Sequence, residues 1–224
     1  MMTFTQFSSR LAMGQLKSTA AVDNSNLGAL NPDYVKTILS LTNQGLVDLS
    51  TKFPLVTAMM DLTFQTSKQL YPLTDAGVGD YLEVVDNVAF VETDFVKVLD
   101  VIAEDGRTHA HDTNGHIMTP NFNSLRFSTD SMLLLNPKVR IRYQSKHLPI
   151  TDTENINLPP NLEIALQLFV ASLYFSHMNG AEHTAKGDAY FATYLRHIGE
   201  DEAKNNSSVS EVQEDTRFED RGFV

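Results

Sequence analysis

Residues 107–116 read RTHAHDTNGH, placing three histidines and an aspartate within ten residues of a chain that has seven histidines in all. Imidazole nitrogens and a carboxylate at short spacing are the donor set of a zinc or related transition-metal site. His109 and His111 lie two apart, directly after an Asp-Gly pair. On a strand that spacing aims both at one face, and Asp112 or His116 would complete the set. A centre of this kind would serve a small metal-dependent hydrolase. The pattern lacks the HExxH spacing that seats two imidazoles on one helical face, and no glutamate stands as a general base. Thr113, Asn114 and Gly115 are turn formers. The segment therefore reads as the return arm and tip of a hairpin, with the histidines on an exposed polar loop.

Other chemistry is thinner. The sequence holds no GxGxxG, no Walker loop and no GxSxG elbow, so no cofactor is expected. It has no cysteine, which removes disulfides, thiolate nucleophiles and cysteine-ligated zinc. His177 and His183 flank Asn179-Gly180 and read as capping or surface residues. Lys138, Arg140 and Arg142 form a basic stripe, with Arg126 and Lys146 nearby in sequence. Such a stripe could meet an acidic partner or nucleic acid, but an ordinary solvated strand face is the simpler reading. A protein that is not an enzyme is the expectation.

The elements that must carry these residues follow from composition and period. The chain has 224 residues, 42% apolar and 20% charged, near the average for a folded protein. Its formal net charge of -11 argues against a main task of gripping phosphate backbones. The longest apolar run, IALQLFVASLYF at 164–175, falls short of the ~20 residues that span a bilayer, so it reads as a core helix and no membrane partner is expected. MMTFTQFSSRLAMGQL does not resemble a signal peptide, so the protein is expected to stay where it is made.

Residues 1–30 are rich in Ser, Thr, Ala, Asn and Gly, and suggest an extended arm. At 31 the pattern changes. Asn31 can cap, Pro32 suits the first helical position, and apolar residues recur at Val35, Ile38, Leu39, Leu46, Leu49 and Phe53, which predicts a helix over 32–52. From about 60 to 146 the period becomes two, as in KVRIRY with Val139, Ile141 and Tyr143 alternating with cations, so a small antiparallel sheet is expected. Residues 75–92 are ambiguous: two glycines favour a loop, and the stretch after Asp80 fits a short helix or a strand. Pro159 and Pro160 open a helix near 160–178 that is apolar almost all round and ends at Asn179-Gly180. A further helix near 181–198 carries Ala181, Ala185, Ala189, Ala192 and Leu195 on one face, small residues that let another helix approach closely. The predicted fold is α+β: an antiparallel bundle of three helices with a small inserted β-domain and extended arms at both ends.

Residues 201–224 form an acidic tail; from 200 onward there are eight acidic and three basic residues, about half of the net charge. The tail cannot bury enough apolar surface to fold alone. It nonetheless finishes with Phe218, Phe223 and Val224, apolar anchors on a polar chain.

The order of an arm, NPDYVKTILSLTNQGLVDLSTKFPL, LTFQTSKQLYPL, EDGR, KVRIRYQSKHLPI and NLPPNLEIALQLFVASLYFSHMNG resembles the head-to-tail adaptor, or connector, proteins of short-tailed bacteriophages over about residues 32–200. Asn43, Leu46, Leu49 and Phe53, and the Leu158-Pro159 opening of an apolar helix, carry the likeness most sharply. The resemblance implies a virion structural protein assembled in the host cytoplasm. It would form a homo-oligomeric ring, usually twelvefold, between portal and tail, and extend the channel through which DNA is ejected without specific binding. It further implies that Arg217, Phe218, Arg221, Phe223 and Val224 dock on the portal protein, and that a tail or nozzle protein docks on the ring. Another neck or tail-tube component is the neighbouring reading.

Overall fold

The computed structural model describes residues 2–210, apart from 24, 27, 67, 86–88, 110, 112–115 and 136. The chain divides into two compact units, Met1–Gly45 with Ile150–Val224, and Leu46–Pro149. The fold is α+β, but it is not an antiparallel bundle with a small β-insertion. Among the described residues stand four helices of ten or more residues, one of seven, and ten strands in three antiparallel sheets. The second unit, which carries eight of the strands, has its own core of eighteen buried residues, which is why it is no appendage.

In the first unit the chain begins with a strand, β1 (Met2–Thr3), and a helix, α1 (Phe4–Met13), where the composition suggested an extended arm. A capping box explains the helix. The Thr3 hydroxyl accepts the Gln6 N–H at 3.1 Å while the Gln6 side chain accepts the Thr3 N–H at 3.1 Å. Phe4, Phe7 and Leu11 then fall on one helical face and are buried. β1 pairs antiparallel with β10 (Asn155–Ile156), Met2 opposite Ile156.

Helix α2 (Pro32–Lys52) has the predicted bounds, and the Asn31 side chain accepts the Asp33 N–H at 3.2 Å. Its Asn43 carboxamide mimics a strand partner, donating to the Ile150 carbonyl at 3.1 Å and accepting the Ile150 N–H at 2.8 Å. Helices α4 (Pro160–Ser176) and α5 (Ala181–Ser210) form an antiparallel pair. α5 continues well past the expected end near 198 and into the polar segment. α4 is buried almost all round between its ends, as its composition predicts, with Ile164 its exposed large apolar residue at 50% exposure. Two glycines set close approaches. A Cβ on Gly45 would stand 2.5 Å from Leu166 Cδ1, and one on Gly187 would stand 2.6 Å from Ser176 Oγ and 3.1 Å from the Ser172 carbonyl.

In the second unit, β2 (Val56–Thr63), β4 (Leu82–Val84), β5 (Phe95–Ile102), β6 (Thr108–His109) and β9 (Lys138–Ser145) make a sheet in the order β4-β2-β9-β5-β6. Alternation puts Met60, Leu62, Val101, Val139, Ile141 and Tyr143 on the buried face. β3 (Leu70–Pro72), β7 (Ile117–Asn121) and β8 (Ser124–Phe127) make a second sheet in the order β3-β8-β7, and a short helix, α3 (Thr129–Leu135), follows it. Among its described residues, the undecided stretch 75–92 holds the 3-10 turn Asp75–Gly77 and β4, with a second 3-10 turn beginning at its end, Glu92–Asp94.

The sheet margins are guarded. In the larger sheet the outer strands β4 and β6 have three and two residues. In the smaller sheet both outer strands carry a proline, Pro72 and Pro120. The Leu73 N–H donates inward to the Asn123 carbonyl, so Pro72 turns to the open side, where the Tyr81 hydroxyl donates to its carbonyl at 2.6 Å.

Candidate functional site

The histidine segment lies on the β5–β6 hairpin. Gly106 sits at φ +85, and Ala103 and Arg107 close the turn through an N–H···O bond of 2.9 Å, so the Asp-Gly turn and its return arm form as expected. His109 is half-buried opposite Val101. His111 is half-buried beyond the end of β6. His116 is exposed just before β7, its Nδ1 3.3 Å from the Ser128 hydroxyl. Asp112 lies outside the described residues. Among the described residues no three His, Asp or Glu side chains gather into a group that could hold a metal ion. His177 and His183 do flank the α4–α5 turn, where the His183 ring stacks on Phe175 with a centroid distance of 6.1 Å.

The basic stripe has a partner that the sequence did not announce. β2 and β9 pair so that Asp61 stands opposite Arg140, and β9 and β5 pair so that Asp100 stands opposite Arg142. Arg140 grips Asp61 with two nitrogens, Nε at 2.8 Å and Nη2 at 3.2 Å, and Lys138 Nζ adds a third bond at 3.1 Å. Arg142 Nε donates to Asp100 Oδ2 at 2.6 Å. Glu83 of β4 lies in register with Asp61. Three cations on this face thus pair with two carboxylates, Asp61 and Asp100, with Glu83 a strand neighbour of Asp61, and the face offers little net charge to a phosphate backbone. The Asp61 side chain is only 8% exposed. The Arg140 hydrogen bond, with help from Lys138 and against the cost of burial, holds its carboxyl below the usual carboxylate range. Beside it is a cleft of about 320 Å³ walled by Ile102, Ala103, Glu104, Lys138 and Arg140. Arg126 belongs to the other sheet, opposite Leu70 and Met118, and Lys146 donates to the Thr93 carbonyl.

Helix α5 has two unlike faces. Gly187, Tyr194 and Ile198 are buried and Tyr190 half-buried; Tyr190 stacks on Phe175 and Tyr194 meets Phe169 edge-on at 5.2 Å, both on α4. The alanines predicted to receive a helix point elsewhere: Ala181, Ala185, Ala189 and Ala192 are exposed, as are Phe191 at 43% and Leu195 at 46%. Positions 181, 185, 192, 195 and 199 keep the alternating four- and three-residue rhythm of a helix seam and hold Ala, Ala, Ala, Leu and Gly, with Asp188 between. Large aromatics hold α4; small residues line the open side.

Sequence reasoning also missed Phe122, 66% exposed at the tip of the β7–β8 hairpin, its ring 6.4 Å from that of buried Phe95. A lone aromatic between two asparagines was its only signal. Arg217, Phe218, Arg221, Phe223 and Val224 lie outside the described residues. No helix among the described residues is long and apolar enough to cross a membrane. In comparisons with known proteins, no protein-family model matches the chain, and no curated protein matches it.

Proposed function

We propose that this chain is a structural protein of a phage virion, a head-to-tail adaptor that assembles as a homo-oligomeric ring between portal and tail. The sequence resemblance supplies the identity of the assembly and its usual twelvefold count. The observation that carries self-assembly is the second face of α5, a heptad-spaced stripe of small and apolar residues that α4 does not cover. Small residues on such a stripe let a helix of a neighbouring copy come close. Docking would be multivalent: each C-terminal segment, through Arg217, Phe218, Arg221, Phe223 and Val224, binds the portal weakly, and a ring of them binds in concert. DNA would pass through the channel without specific binding, since many copies of a chain at -11 repel it. A tail or nozzle protein would take the other side of the ring, with the virion neck as the place of action and the host cytoplasm as the place of assembly.

A neck or tail-tube component is the second reading, favoured by the ten strands among the described residues. The helical run of α4 and α5 favours the adaptor, because a tube protein would show strand there. Negative-stain imaging of the purified protein, alone and mixed with a portal, tests the proposal. Rings that seat on the portal are expected. A compact monomer that ignores the portal would sink it.

A further inference from the structure

The turn between α4 and α5 joins three conditions for a reaction that needs no partner. Asn179 is exposed, and its carboxamide makes no hydrogen bond among the described residues. The next residue is Gly180, whose N–H is likewise without a described acceptor. Gly180 has no side chain to crowd an approach and stands at φ +120, outside any helix. We propose that Asn179-Gly180 is a self-modification site at which the backbone cyclises and the asparagine becomes acidic.

The Gly180 nitrogen loses its proton and forms a bond to Asn179 Cγ, the Cγ–Nδ2 bond breaks, and the amide nitrogen leaves as ammonia. One water then opens the five-membered imide at either carbonyl, giving aspartate or isoaspartate. One water is consumed and one ammonia released, with no redox change. The product places a carboxylate just ahead of α5, where the helix dipole favours negative charge. The isoaspartate product also lengthens the turn by one backbone carbon.

Position decides the contrast with other asparagines. Asn43 lies within α2, and both ends of its carboxamide are held by Ile150, so neither the electrophile nor the following N–H is free. Asn114-Gly115 has the same sequence but lies outside the described residues, so the readout must be resolved by peptide.

The inference does not depend on the proposed function. The test is peptide mapping by mass spectrometry of the full chain, incubated at mildly alkaline pH while folded. Aspartate and isoaspartate should accumulate at 179 with ammonia released, and Asn43 should stay intact. Asn179→Ser, which leaves Gly180 and its backbone angle in place, should abolish conversion in that peptide with an unchanged circular dichroism spectrum. An unmodified Asn179, or an Asn43 that converts as fast, overturns the proposal.

Discussion

Gly187 of α5 lies against Ser176 of α4 so closely that a Cβ on the glycine would come within 2.6 Å of the serine hydroxyl. The Ser172 carbonyl and Ser176 nitrogen stand at 3.1 Å from the same point, so backbone as well as a movable hydroxyl would have to yield. Gly187→Ala should therefore destabilise the chain by about 1–3 kcal/mol, the cost of overpacking a tight contact. Gly199→Ala is the internal control, because a Cβ there meets nothing within 4 Å. On the same helix it should add up to ~1 kcal/mol through helix propensity. Denaturant titration of the two variants checks the opposite signs.

Asp61 ties β2 to β9 through Lys138 and Arg140. Asp61→Asn should cost about 1–3 kcal/mol, the range for losing hydrogen bonds to a charged group. The pH dependence has a definite sign. The folded carboxyl titrates below its ordinary 3.8, so its contribution is present above that value and is lost as pH falls through the lowered one. The stability gap between the native chain and Asp61→Asn should hold at neutral pH and close below 3.8. A gap that widens in acid would contradict the linkage.

Leu195 is 46% exposed on the open face of α5. A glutamate there should change the stability of a single copy by no more than about 0.5 kcal/mol, as is usual for surface positions. If copies pack through this face, Leu195→Glu should nevertheless move the protein from ring to monomer in light scattering. Rings that survive the variant would assign the contact to another surface.

Removing residues 205–224 takes away the candidate portal anchors together with the final turns of α5. The remaining helices and sheets should persist in circular dichroism, since their buried residues lie earlier in the chain. Attachment to the portal in a pull-down should vanish. Normal attachment would reassign the tail.

What the sequence made legible was punctuated or strictly periodic. Asn31-Pro32 and Pro159-Pro160 marked the starts of α2 and α4, and the alternation around Ile141 marked β9. What it hid depended on contacts far along the chain. Asp61 lies 77 and 79 residues from Lys138 and Arg140, so only the β2–β9 register joins them. α1 was hidden differently: Phe4, Phe7 and Leu11 kept helical spacing behind a Thr3-Gln6 cap, but polar neighbours diluted the signal. The alanines of α5 were legible as one stripe of small residues, but the sequence did not say which helix would meet it; α4 is met instead by tyrosines around a single glycine.

Pro72 and Pro120 bear on life at high copy number. A chain with ten strands among its described residues, crowded against its twins during expression, risks being recruited strand by strand into a growing cross-β stack. An incoming segment that tried to extend the three-stranded sheet would find at each margin a residue without an amide hydrogen, and at Pro72 a carbonyl already claimed by Tyr81. Contact between copies is thereby steered toward side chains on helices, where the match is specific and can be reversed.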